Sequence, residues 1–122
     1  MIGAVRSHHV LLKLTVISKN TRILEILADV DTGFVGFLTL PQVEIDHLGL
    51  EYEHSFYAYL ADNSRIKVDI YMATVNWLGQ LREIEVIATG IRPLIGTLLL
   101  DGCEMNIKFV EGGIVTINEL TV

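Results

Sequence analysis

The chain is poor in the residues that commit a sequence to several common classes. It has one cysteine, Cys103, among 122 residues, which excludes an internal disulfide framework and a cysteine-rich zinc site. Nine basic residues stand against fifteen acidic ones, for a net charge of −6. That balance is wrong for a nucleic-acid surface, which is built on clustered positive charge. There is no long apolar run: Val10-Leu11-Leu12 is broken by Lys13, and Leu94 to Leu100 is short and flanked by charge, whereas a membrane-spanning helix needs about 20 apolar residues. His8 and His9 precede the first run and no small-residue cleavage site follows it, so it makes a poor secretory signal. Only two prolines occur, and no Pro- or Ser-rich stretch divides the chain. These absences predict a soluble, cytoplasmic protein with no nucleic-acid or membrane partner, folded as a single domain over residues 1–122.

Apolar side chains are in surplus. They make up 51% of the chain, where average usage is about 45–50%. A folded chain of this size still exposes roughly a third of its unfolded-state surface. Part of the surplus is therefore expected in a subunit interface.

The dominant local pattern has a period of two. From Ser64 to Ala73, Ile66, Val68, Ile70 and Met72 alternate with Arg65, Lys67, Asp69 and Tyr71, which marks a half-buried strand. Glu83 to Val86 repeats it, and Gly79-Gln80 suits the turn between the two. Val10–Ile17 and Arg22–Val30 read as strands joined by Ser18-Lys19-Asn20-Thr21, with a further short strand at Phe37–Leu40. Asp62-Asn63-Ser64 separates Ser55–Ala61 from the alternating strand. Asn106–Val110 and Ile114–Ile117 flank Glu111-Gly112-Gly113, which looks like a tight hairpin. Two segments read as short helices. Pro41 to Leu48 opens on a proline and is stopped by Gly49, and Pro93 to Leu100 ends before Asp101-Gly102. The expected fold is mainly β, closed or sandwich-like, with one or two short helices.

One short motif could carry chemistry. Asp31-Thr32-Gly33 follows directly on the strand whose apolar residues are Leu24, Ile26, Ala28 and Val30. Alone, such a tripeptide is usually a turn. Its setting is more specific: Phe37–Leu40 follows, then the hairpin tipped by Ala61, Asp62, Asn63 and Ser64, then the hydrophobic-hydrophobic-Gly element Leu94-Ile95-Gly96.

With these motifs in this order, the chain from about Val10 to Phe109 resembles the retropepsin-like aspartic proteases, most of all the small clan AA type of microbial genomes. The segment from Asp31-Thr32-Gly33-Phe34 through Gly36-Phe37-Leu38-Thr39-Leu40-Pro41, with Leu48-Gly49-Leu50 after it, fits that type well. The resemblance implies a closed β-barrel with Met105–Phe109 as a final strand. It also implies an aspartic endopeptidase that hydrolyses a peptide or protein substrate with no metal or other cofactor. Asp31 would be catalytic. Thr32 would brace the active-site loop across a dimer axis, and Gly33 would leave room for substrate. Phe34, Leu94, Ile95 and the hairpin tip Ala61-Asp62-Asn63-Ser64 would lie at the substrate, the hairpin as a flap.

The reaction needs two carboxyls, one to accept a proton from water and one to polarise the scissile carbonyl. This chain has one Asp-Thr-Gly. The equivalent later turn, Thr89-Gly90, has Ala88 where an Asp is needed. The dyad therefore demands a symmetric homodimer, in which a two-fold axis sets Asp31 beside its own copy. Three features depart from the viral enzymes. The hairpin tip has no glycine. Phe34-Val35 stands where they have a small residue and then an acidic one, and Thr97 stands where they have an arginine. The last two losses remove both members of one ion pair together. A retropepsin-like binding or dimerisation module with little proteolysis is the alternative.

Asp29, two residues before Asp31, is a fourth departure, and three readings are open. It pairs with Arg65, Lys67 or Arg92; it lines the cleft and favours a basic substrate side chain; or it raises the dyad pKa by like-charge repulsion. The remaining conspicuous residues read blandly. His8-His9 is a terminal polar pair, His47 and His54 lack ligand spacing, Cys103 is structural, Trp77 packs, and Asp101 stops a helix.

Overall fold

The computed structural model describes residues 1–121. Among them the elements run β1 (Ile2–Arg6), β2 (His9–Ile17), β3 (Ile23–Val30), β4 (Leu38–Leu40), α1 (Gln42–Leu48), β5 (Glu51–Tyr59), β6 (Arg65–Trp77), β7 (Gln80–Ala88), β8 (Leu94–Ile95), α2 (Thr97–Leu100), β9 (Cys103–Ile107) and β10 (Ile114–Glu119). The chain is mainly β, as the alternation predicts. The strands form one mixed sheet in the order β5-β6-β7-β4-β8-β3-β2-β1-β10-β9, and β6 pairs additionally with β2. The pairs β3–β8 and β4–β7 are parallel. No helix among the described residues is long and apolar enough to cross a membrane.

The long strand β6 carries the strongest alternation and changes neighbours along its length. It pairs with β5 over Arg65–Met72 and with β2 over Thr74–Asn76. Burial moves from even-numbered Ile70 to odd-numbered Ala73, Val75 and Trp77 where the neighbour changes. Apolar residues of β2 (Leu12, Leu14, Val16), β3 (Ile26, Ala28), β4 (Leu38, Leu40), β7 (Ile84, Val86), β8 (Ile95), α2 (Leu99) and β10 (Val115, Ile117) meet in one core.

Helix α1 forms where the proline and glycine signals place it. Ile45 and Leu48 are buried, and Gly49 closes the helix in the left-handed conformation (φ 65°) with its N–H on the Asp46 carbonyl. Without a Cβ, glycine adopts that conformation freely.

Four local expectations are corrected. Leu94-Ile95 is a strand rather than the first turn of a helix, which starts only at Thr97. A fully apolar run has no period, and here sheet partners on both sides claim its backbone. The penultimate strand is Cys103–Ile107, and residues 108–113 form a broad loop instead of a tight Glu111-Gly112-Gly113 turn. Gly112 and Gly113 each exchange a backbone bond with Val5 of β1. The N-terminal segment is no loose polar tail: β1 pairs with both β2 and β10, and the Met1 and Ile117 backbones bond each other twice. Finally, the β6–β7 turn is Leu78-Gly79 rather than Gly79-Gln80. Like Ser7-His8 in the β1–β2 hairpin, both its central residues have positive φ, the tight two-residue turn whose twist matches the flanking strands.

Strand β4 is three residues long and wholly buried, between β7 and β8. A Leu38→Ala substitution there is expected to cost about 2–5 kcal/mol, read as a lowered midpoint in urea unfolding at unchanged slope.

Candidate active site

Strand β3 delivers Asp31, and β8 holds it in place. The two run parallel with Asp29 opposite Leu94 and Val30 opposite Ile95, and the Asp31 N–H donates to the Ile95 carbonyl at 2.9 Å. The loop turns at once. The Phe34 N–H returns to the Asp31 carbonyl (3.2 Å), and the Gly33 N–H donates to Asp31 Oδ1 (2.9 Å). That Asx turn fixes the carboxylate from within its own loop. Asp31 is left half-buried, with Thr32 and Gly33 exposed beside it.

Leu94-Ile95-Gly96 is the keystone of the loop. β8 runs between β3 and β4, and the Leu94 N–H donates to the Thr39 hydroxyl (3.0 Å). Beyond β8, the N–H groups of Gly96, Thr97 and Leu98 donate to the carbonyls of Phe37 (3.1 Å), Phe34 (2.9 Å) and Gly36 (3.0 Å). The buried loop carbonyls are thereby satisfied. Gly96 is a steric necessity, because a Cβ there would overlap the Gly36 carbonyl oxygen and lie 2.7 Å from that of Phe34. The Phe34 ring folds over Gly36 and is half-buried, while Val35 is exposed. Ile95 is fully buried in the core and Leu94 half-buried, so Ile95 supports the loop from beneath.

Asp29 is buried (8% exposed). Its Oδ2 accepts from Arg92 Nη1 at 3.1 Å and lies 3.1 Å from His9 Nδ1. Of the three bases considered for it, Arg92 is the partner. Arg65 stacks on the Tyr57 ring (4.3 Å) and Lys67 lies 3.8 Å from Asp69. Arg92 and His9 thus both lie against the buried carboxylate. In the sequence His9 reads only as half of a polar pair. The β2–β3 register, Leu11 opposite Asp29, brings it near, and no local motif announces that register.

The hairpin stands apart. Over Ser55–Tyr59 and Arg65–Asp69, β5 and β6 pair only with each other, and Ala61, Asp62, Asn63 and Ser64 are all exposed. The tip is nevertheless ordered. Asn63 takes positive φ (66°) in place of a glycine. The Ser64 N–H and hydroxyl both donate to Asp62 Oδ1 (3.0 and 2.5 Å). The Ser64 hydroxyl, and then its amide, hold the Asp62 carboxyl below its ordinary pKa. A depressed carboxylate pKa stabilises the tip above the unfolded-state value and loses that contribution as the pH falls through the folded one. Ser64→Ala is expected to raise the Asp62 pKa toward the ordinary carboxylate value in an NMR titration, with the β2 and β3 amides unmoved.

Among the described residues, no three His, Cys, Asp or Glu side chains gather as a metal site. No protein-family model matches the chain, and no curated protein matches it.

Proposed function

We propose that the protein is a homodimeric aspartic endopeptidase of the retropepsin-like kind, with Asp31 and Asp31 of the partner subunit as its dyad. The observation that carries this reading is the interlock at the loop: a half-buried carboxylate, oriented by its own Gly33 amide, on a loop pinned by Leu94-Ile95-Gly96 between two strands. The strand pairings add to it. They run β2–β3–β8–β4–β7–β6 and return from β6 to β2, which supports a closed barrel. The β5–β6 hairpin, which projects from this circuit where β6 pairs with β5 alone, supports a flap.

Two carboxyls brought together cannot both ionise, so the pair carries one proton. The ionised Asp31 takes a proton from water as the oxygen attacks the scissile carbonyl. The protonated one gives its proton to the carbonyl oxygen. The resulting diol collapses as the first Asp31 passes the proton it took to the leaving amine and the second takes one from a diol hydroxyl, which restores the shared-proton pair. An extended peptide suits the exposed edges of a two-stranded ribbon, which offer unpaired backbone groups.

A single chain is half a site. Surface cavities of about 470 Å³ (Met1, Lys13, Asn76, Ile117) and 430 Å³ (Ile2, Leu11, Leu27) are not lined by Asp31. The exposed apolar Val35 and Leu98 beside the loop give a second copy an apolar surface to bury, in keeping with the compositional surplus. The fastened, glycine-free hairpin tip favours one competing reading, a binding or dimerisation module with little turnover. A peptide-library digest between about pH 4 and 7 tests both. Reproducible cleavage blocked by a pepstatin-type inhibitor supports the peptidase. A dimer that binds peptides and cleaves none supports the module.

A further inference from the structure

We propose that Asp29, Arg92 and His9 form a side-chain clamp that sets the position of the Asp31 loop, making Asp29 and Arg92 positioning residues of the active site. The role in catalysis rests on the peptidase reading; the mechanical role does not. The parallel ladder between β3 and β8 is only two residue pairs long, yet it joins the Asp31 strand to the segment that pins the loop. The ladder places Gly96, Thr97 and Leu98, and their amides hold the carbonyls of Phe37, Phe34 and Gly36. A ladder this short slides or frays easily unless its end is fastened. The clamp is that fastening. Arg92 lies two residues before β8 and Asp29 two residues before Asp31, so the ion pair closes the open end of the ladder beside the Asp29 N–H to Pro93 carbonyl bond (3.0 Å).

The chemistry suits a fixed joint. The Asp29 side chain is only 12% exposed, while those of His9 and Arg92 are 44% and 57% exposed. A buried carboxylate left alone is costly, so the fold strongly favours the arrangement in which Arg92 reaches it. Both bases meet the same oxygen, and the His9 ring nitrogens lie 3.4 Å from Arg92 Nη1. His9 ties in a third strand, β2. The charged groups around it are Arg6, its cross-strand partner on β1, Asp29 on β3, and Arg92 ahead of β8. Asp31 is the loop's one charged side chain, since Thr32, Phe34, Val35 and Thr97 are uncharged, and among the described residues of this chain it makes no ion pair. The clamp supplies the electrostatic anchor from the residues before the loop.

The test compares the wild type with Asp29→Asn/Arg92→Gln, which removes both charges together and so leaves no orphan, and with Arg92→Lys, which keeps the charge. Amide hydrogen exchange is followed residue by residue. In the double variant, the Asp31, Gly96, Thr97 and Leu98 amides are expected to exchange about tenfold faster or more, while the β6–β7 amides keep their rates. Arg92→Lys is expected to restore part of the protection. In a peptide-cleavage assay, kcat falls by roughly tenfold to a hundredfold at nearly constant KM, because misplacing a catalytic group costs rate more than binding. Unchanged loop exchange in the double variant overturns the clamp, and so does an equal acceleration of every core amide, which marks general destabilisation. Selective loosening of the loop in a protein whose wild type cleaves nothing leaves the clamp standing and removes the peptidase reading instead.

Discussion

Asp31→Asn is expected to fold, to self-associate as the wild type does, and to cleave no peptide. Asn keeps the shape of the carboxylate, and its side-chain oxygen still accepts from the Gly33 amide as Asp31 Oδ1 does at 2.9 Å. The loop therefore keeps its turn. What is lost is the proton chemistry: an amide neither takes a proton from water nor gives one to a carbonyl. Uncatalysed peptide hydrolysis is many orders of magnitude slower than any enzyme, so the loss should reach the detection limit. Thermal unfolding and sedimentation check the first half of the expectation, and a fluorogenic-peptide assay the second. Residual cleavage at even about one per cent of the wild-type rate, inhibited in the same way, would move the chemistry to another residue.

Gly96→Val is expected to be the most damaging single change to the fold near the site. A Cβ at this position meets two backbone carbonyl oxygens, those of Gly36 and Phe34, and the Phe34 ring. A ring can turn away. The two carbonyls cannot, because they accept from the Leu98 and Thr97 amides. Either β8 withdraws and breaks those bonds, or the loop does. Overpacking a fixed backbone and orphaning buried carbonyls together cost about 2–4 kcal/mol. Urea unfolding measures it, with Val43→Ala as a control on the exposed face of α1, where about 0.5 kcal/mol or less is expected. A Gly96→Val protein as stable as the wild type would mean that the loop is not packed against β8.

How much of this was legible in the sequence depends on the range of the forces involved. Strands β2, β3, β6 and β7 announce themselves by alternation, and Ile66 to Met72 alternates residue by residue, although of its four apolar residues only Ile70 is buried. Helix α1 is legible from Pro41 and Gly49, since its limits are set by single backbone torsions. Strand β1 is not: Ile2-Gly3-Ala4-Val5 is short, is interrupted by a glycine, and is a strand only because β2 and β10 flank it. The run from Leu94 to Leu100 is too uniformly apolar to show its division into a strand and a helix.

At the site, Asp31-Thr32-Gly33 and Leu94-Ile95-Gly96 stood out as motifs, and the structure places the second directly on the loop formed by the first. That Gly96 is glycine because two carbonyls crowd it depends on a contact between segments some sixty residues apart in the chain. The partner of Asp29 could be narrowed to three bases by charge alone. Choosing Arg92 needed the β3–β8 pairing, and finding His9 needed the β2–β3 register. Asp29 and Ile95 are both buried for the same reason: which face of a strand turns inward is decided by its neighbours.

Whether one active site takes an Asp31 from each of two chains is tested most directly by a mixing experiment. Wild type and Asp31→Asn are unfolded together, refolded at fixed total concentration, and assayed over a series of ratios. If the dyad is shared, a mixed dimer is dead and activity follows the square of the wild-type fraction, so an equal mixture keeps about a quarter of the all-wild-type activity. If each chain works alone, activity follows the fraction itself, and an equal mixture keeps about half. The squared curve is the predicted result; a straight line would contradict the shared dyad.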